Sequence, residues 1–300
     1  MKKFFFIIYF IFISQFGFSQ KHFIFNSDSL NLSRVACLST GVAGSWAIGT
    51  IAFTNLWYKD FPKSNFHLFN DSHEWLQMDK MGHFFTANKL SKITTDLFKW
   101  SGMKKNNSIL LGCSIGLGLQ TTIEILDGYN SQWGFSISDM AANTLGVFSF
   151  ASQSLFWNDQ RIILKFSNHQ TQYASLNPLV LGKSFAERFL KDYNGQSYWL
   201  SFNPSSFSKY SNLPKWLCFS IGYSIDQKIS GSNEIFHSSI TNLTYFSQRK
   251  LLLSLDIDFS KLSIKNEWLK LIVKQFNFIK IPFPTLIYMD GKLSASGFYF

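Results

Sequence analysis

Asp79-Lys80-Met81-Gly82-His83, then Gln120-Thr121-Thr122-Ile123-Glu124-Ile125-Leu126-Asp127-Gly128, then Ser136-Ile137-Ser138-Asp139-Met140-Ala141-Ala142-Asn143-Thr144-Leu145-Gly146 place ionisable side chains inside apolar, glycine-bearing sequence. Within each segment the polar residues fall three or four apart: Asp79 with His83, Glu124 with Asp127, Asp139 with Asn143. That spacing sets each pair on one face of a helix. A carboxylate on an apolar helix needs a partner or a function, so three such helices are expected to pack with their pairs turned toward one interior site.

The flanks support helices. From Met78 to Trp100 the apolar residues Met81, Phe84, Phe85, Leu90, Ile93 and Leu97 gather on one side, and Gly102 followed by Lys104-Lys105 closes the pattern. Asn107 to Ile123 and Met140 to Asn158 carry no charge, and a polar turn separates them, which reads as a helical hairpin. Lys104, Lys105, Arg161 and Lys165 stand at its open end, where the positive-inside tendency would place a cytoplasmic side. Val35 to Tyr58 is also uncharged, is rich in small residues and is bracketed by Arg34 and Lys59. Candidate membrane helices are therefore 35–58, 107–126 and 138–158.

Composition agrees with membrane contact. Aromatic residues make up 18% of the 300-residue chain and charged residues 15%, the reverse of a soluble enzyme's balance. Mean hydropathy is only +0.03, so a few inserted elements plus a water-facing part fit better than a chain made of spanning helices. Residues 1–20 read as a signal peptide, with Lys2-Lys3, an apolar run from Phe4 to Ile13 and a small-residue exit at Gly17-Phe18-Ser19. The protein is thus expected to be exported, periplasmic and membrane-associated. Its net charge of +10 is scattered and accompanies no nucleic-acid motif, which points to anionic lipid and away from nucleic acid. Cys37, Cys113 and Cys218 have no paired spacing and are expected to be buried small hydrophobes.

After about residue 167 the pattern changes. Residues 168–214 are loop-rich, and beyond them Trp216–Ser224, Ile240–Ser247 and Leu251–Phe259 read as strands, the last half-buried with its leucines alternating with polar residues. Ser263–Phe276 is helical in period, and Asp290-Gly291 marks a type I′ hairpin at the C-terminus. The fold class is α+β: a membrane-associated helical bundle over 34–167, then a smaller mixed domain with antiparallel strands over 168–300.

For chemistry, His83, Glu124 and Asp139 are the candidate catalytic or metal-ligating residues, a possible divalent-metal or acid–base set. Asp79, Lys80, Asp127, Ser138 and Asn143 would complete an interhelical polar network. The same residues also fit plain capping: Asp79 at one helix start, Ser138 or Ser136 at the next, and Asp139 in a first turn. Tyr193, Tyr198 and Trp199 form an aromatic patch read as an interaction surface.

The three quoted segments resemble the YfiM-like family of predicted periplasmic proteins, a domain of unknown function. Lys191-Asp192-Tyr193-Asn194-Gly195-Gln196-Ser197-Tyr198-Trp199-Leu200 and Ile279-Lys280-Ile281-Pro282-Phe283-Pro284-Thr285-Leu286 are similar to its longer Bacteroidetes-type envelope form. The Asp-Lys, His, Glu and Ser-Asp order is more faintly similar to VanZ-like membrane proteins. The resemblance implies an envelope location and no established activity. The acylated Cys of short, lipoprotein-like members is missing. The leading expectation is a structural or interaction role at a membrane, with lipid or an envelope protein as partner. The alternative is a metal-assisted or acid–base hydrolase acting on a lipid or cell-wall substrate.

Overall fold

The computed structural model describes residues 26–208 and 213–300, so the expected signal peptide lies outside the described residues. Four long helices come first: α1 (Leu32–Trp57), α2 (Met78–Trp100), α3 (Lys105–Gly128) and α4 (Ile137–Phe156). Asn31 caps α1 by accepting from the Arg34 amide, and Ser136 caps α4 by accepting from the Asp139 amide. Gly102 ends α2 with φ +81°, the left-handed geometry that glycine adopts without strain. Small residues set the spacing of α2, α3 and α4. A Cβ on Gly146 would stand 2.2 Å from the Phe84 carbonyl oxygen, and one on Gly116 would meet the Ser91 backbone at 2.9 Å. The polar side chains in these contacts bond across them: Thr94 Oγ1 donates to the Gly112 carbonyl and Asn88 to the Gly146 carbonyl.

A six-stranded antiparallel sheet follows, ordered β1-β2-β3-β6-β7-β8. Its strands are β1 (Ile162–Asn168), β2 (Gln196–Phe202), β3 (Leu217–Asp226), β6 (Gln248–Ile257), β7 (Phe283–Met289) and β8 (Lys292–Tyr299). Short helices α5 (Pro178–Leu181) and α6 (Phe185–Lys191) link β1 to β2. The ribbon β4 (Ile235–His237) and β5 (Thr244–Phe246) lies between β3 and β6, and α7 (Glu267–Gln275) precedes β7. The terminal hairpin turns through Asp290 at φ 49° and Gly291 at φ 71°, as the type I′ reading requires. The chain is therefore α+β, with its helices mostly N-terminal to an antiparallel sheet.

The polarity of this sheet is inverted. Register aligns Leu164, Leu200, Ile221, Leu253 and Leu286 in one row and Ile162, Phe202, Phe219 and Leu255 in another, all on the same face. Most of these side chains are exposed, Leu253 by 53% and Ile221 by 51%. On the opposite face Ser201, Ser220, Ser254, Thr285 and Ser296 form a row of hydroxyls across five strands. Lys165 and Asp256 lie on that face and are fully buried, 2.8 Å apart. Rolling of the sheet encloses them. Tyr299 on β8 comes within 3.5 Å of Ser197 on β2, whereas four strand spacings of about 4.8 Å would hold them about 19 Å apart in a flat sheet. Ile279 bridges to Phe166 on the outer side of β1, and the Lys280 amide donates to the Phe166 carbonyl.

The strand expected over Leu251–Phe259 exists as Gln248–Ile257, but inside out: Leu251, Leu253 and Leu255 face outward while Leu252 and Asp256 are interior. Lys165, read above as a topology-setting surface charge, is consumed inside the sheet. Tyr193, Tyr198 and Trp199 do not form a surface patch. All three are buried, because β2 runs through the middle of the molecule, and Tyr193 and Tyr198 join Leu76, Met78 and Ile225 in a cluster where α2 meets the sheet. Cys218 is buried as expected, whereas Cys37 is exposed on α1, none of whose residues is buried. Among the described residues, α1 and α3 are long and apolar enough to cross a membrane; α4 is not.

Candidate functional site

The last turn of α3 and the first turns of α2 and α4 meet at one end of the helical layer, beneath the 60–77 segment. Sequence alone leaves the approach to α2 open. In the structure Trp75, Leu76 and Gln77 all have positive φ, a left-handed turn of non-glycine residues that costs roughly 1–2 kcal/mol per residue. Tertiary bonds hold it: the Trp75 amide donates to Gly231, Tyr223 Oη to the Leu76 carbonyl and Arg249 to the Gln77 side chain. The strained turn delivers Asp71 and Asp79 to the same place.

Lys80 is the hub. Its Nζ lies 2.7 Å from Asp71 Oδ2, 2.9 Å from Asp139 Oδ1 and 3.4 Å from Asp79 Oδ2. Asp71 Oδ1 also accepts from Ser136 and Ser138 hydroxyls. His83 lies one turn beyond Asp79, with Nε2 3.9 Å from Asp79 Oδ1. Its Nδ1 faces Glu124 Oε1 at 3.4 Å and Asn143 Oδ1 at 3.2 Å, and Gln120 donates to the same Asn143 oxygen. Tyr193 donates to Asp79 Oδ1 at 2.6 Å, and Tyr58 donates to Asp127 Oδ1 at 2.7 Å.

Charge is shared unequally. Burial, together with the Asp79 charge, pushes Asp139 up to about 10, and burial with Asp127 nearby lifts Glu124 to about 9. Asp127 rises to about 8, again mainly through burial. Burial would raise Asp71 too, but hydrogen bonds from Asp139, Lys80 and Ser136 bring it down to about 2. Against burial, the His83 and Lys80 charges lower Asp79, and the surrounding carboxylates raise Lys80. At neutral pH the stable pattern is thus two carboxylates, Asp71 and Asp79, around one ammonium, with the other three acids holding protons.

Seven of the eight helix-borne site residues named from sequence are joined here by direct contacts, namely His83, Glu124, Asp139, Asp79, Lys80, Ser138 and Asn143, while the eighth, Asp127, is bonded to Tyr58. The tightest cluster of potential ligands, however, is Asp79, His83 and Asp139, whose donor atoms lie within 4.8 Å of one another; Glu124 stands behind His83. Asp71 and Tyr58 were missed. Both sit in or beside a loop with no periodicity to mark an inward face. Tyr193 belongs here as a hydrogen-bond donor to Asp79, from the chain's other half.

Residues 67–155 match a family described as predicted periplasmic lipoproteins (DUF2279). That span holds every helix-borne member of the cluster. The match supports an exported, periplasmic envelope location and a family of unknown activity. No curated protein matches the chain, and no solved structure does.

Proposed function

We propose that this protein works against a lipid membrane of the cell envelope, in a structural or interaction role. The observation that carries this reading is the inverted polarity of the fold: polar side chains outnumber apolar ones in the interior, while large apolar side chains cover much of the outside. Buried polar groups and large exposed apolar patches are the informative departures from ordinary globular packing. Leu145, Phe148, Leu155 and Phe156 are exposed on α4, the Trp157 ring that follows meets Phe207 edge-on, and Ile162 and Phe202 are exposed as a cross-strand pair on the apolar sheet face. That face holds a shallow hollow of about 410 Å³ lined by Phe219, Ile221, Leu253 and Leu286 among others.

In this reading α1 enters the bilayer, and the convex face of the sheet lies on the membrane surface. An open sheet has unpaired edges and does not cross hydrocarbon. The polar cluster locks α2, α3 and α4 together under Asp71. The finer likenesses, to YfiM-like proteins in their long envelope form and more faintly to VanZ-like proteins, belong to the same reading. The hydrolase alternative has no separate observation in its favour.

The test is fractionation of cells expressing the full chain, beside a variant with Leu200, Ile221 and Leu253 changed to Lys. The wild type is expected in the membrane fraction after a high-salt wash, with the variant folded and markedly easier to extract. A wild type that is monodisperse in buffer without detergent refutes the proposal.

A further inference from the structure

Beyond that role, the cluster has the makings of a divalent-cation site, and we infer that Asp79, His83 and Asp139 bind one first-row ion of the Zn²⁺ or Mn²⁺ type. Their three donor atoms already lie within 4.8 Å of one another. Donors sharing a tetrahedral ion at about 2.1 Å stand about 3.4 Å apart, so rotations of little more than 1 Å close the set. A mixed imidazole and carboxylate set suits these ions better than Mg²⁺ or Ca²⁺, which favour all-oxygen shells.

Two further features separate this cluster from a chance gathering of acids. Glu124 is 1% exposed, and its Oε1 has no hydrogen-bond donor although it lies 3.4 Å from His83 Nδ1. A fixed acceptor behind Nδ1 is what a metal-bound histidine requires: Nδ1–H faces Asn143 Oδ1 at 3.2 Å with the Glu124 carboxyl oxygen beside it at 3.4 Å as a second acceptor, which fixes the tautomer and turns Nε2 toward the ion and Asp79. Lys80 supplies the second feature. It divides its charge among Asp71, Asp79 and Asp139, and its shortest contact is with Asp71 at 2.7 Å. An arriving cation takes over Asp79 and displaces the Asp139 proton to solvent as it binds that carboxylate, and Lys80 stays paired with Asp71. The bound state therefore strands no buried charge.

The experiment uses untagged full-length protein in detergent, stripped with chelator and dialysed against Zn²⁺, Mn²⁺ or Mg²⁺, with bound metal counted by mass spectrometry. We expect one Zn²⁺ or Mn²⁺ per chain, no Mg²⁺, and a melting midpoint that rises with the added ion. Asp79→Asn, His83→Gln and Asp139→Asn should each weaken binding by more than 100-fold. Glu124→Gln should keep the one-to-one stoichiometry and weaken binding by roughly 10- to 100-fold, the usual effect of losing a partner that orients a ligand. Wild-type protein that binds less than one-tenth of an equivalent, or melts identically with chelator and with ion, overturns the inference. So does unchanged binding in His83→Gln. If a variant fails to melt cooperatively, the two wild-type measurements decide alone. The site is independent of the membrane reading: fractionation with lipid and ion binding are separate measurements, and failure of one leaves the other standing.

Discussion

Asp256→Leu is the sharpest probe of the rolled sheet. Asp256 and Lys165 have no exposed side-chain surface and lie 2.8 Å apart; Lys165 Nζ also donates to the Ile257 carbonyl, and Ser201 Oγ donates to Asp256. Removing the carboxylate leaves an ammonium inside the sheet with one carbonyl for company. Breaking a buried pair in this way costs about 3–5 kcal/mol. At roughly 2–4 °C per kcal/mol for a chain of this size, the melting midpoint should fall by about 6–20 °C. The double variant Lys165→Met/Asp256→Leu should recover most of that loss, because Asp256 Oδ1 already lacks a hydrogen-bond donor and an apolar pair of similar volume is commonly neutral or stabilising. Circular dichroism melts of the four proteins in one detergent complete the cycle. If Asp256→Leu changes stability by less than about 1 kcal/mol, water reaches the pair and the concave face is not enclosed.

Other perturbations test other joints. Gly146→Ala forces a Cβ to 2.2 Å from the Phe84 carbonyl and should cost about 1–3 kcal/mol, measured by chemical denaturation, whereas Gly41→Ala on α1 meets nothing within 4 Å and should be neutral or slightly stabilising. Tyr193→Phe removes the hydroxyl that donates to Asp79 and should cost about 1.5–3 kcal/mol, with far-UV circular dichroism unchanged; a loss under a few tenths would mean that water replaces the bond. Burial lowers Lys280 from 10.5 to about 8. Its protonation opposes folding fully below about pH 8, and stability should rise as pH climbs from about 8 to about 10.5, by up to about 3 kcal/mol relative to Lys280→Met. Parallel pH–stability curves for the two proteins would show that Lys280 is solvated.

The helices were legible because their chemistry repeats with helical period. Asp79/His83 and Asp139/Asn143 advertise a shared face whatever covers it, and Ser136 marks a cap. The strands β1 and β2 were hidden for a different reason. In Ile162–Asn168 and Gln196–Phe202 both faces are largely buried, one under α2 and one inside the roll, so no clean apolar alternation survives. For β6 the alternation is visible in the sequence, but it does not say which of the two faces meets the interior. Period two states that leucines share a face; which face meets the interior depends on what solvates the other. The convergence of Tyr193 on Asp79, across 114 positions, is tertiary information with no local signature.

The outward leucines of β6 lead to the physical point joining the two halves. In water, burying leucine rewards packing and burying serine does not; against lipid the first reward largely disappears, and close contact, interhelical hydrogen bonds and paired charges have to hold elements together. The helical layer is built by those rules. Gly112, Gly116 and Gly146 bring backbones together, Thr94 and Asn88 bond across the gaps, and Lys80 ties Asp71, Asp79 and Asp139. The sheet obeys them as well, with a hydroxyl row and the Lys165–Asp256 pair inside and leucines outside. Two unlike secondary structures sharing one inverted pattern are what the proposed membrane environment would produce. The consequence is testable with apolar replacement. Filling the interior of an aqueous protein with leucine in place of paired polar residues usually preserves the fold, whereas in the helical layer the polar contacts around Lys80 are the principal specific bonds between α2, α4 and the segment that carries Asp71. Joint replacement of Lys80, Asp71 and Asp139 by Met, Leu and Leu should therefore leave helix content intact while loosening the packing of α2 on α4, read as faster amide exchange in both helices. Unchanged protection would mean that van der Waals packing alone holds the bundle.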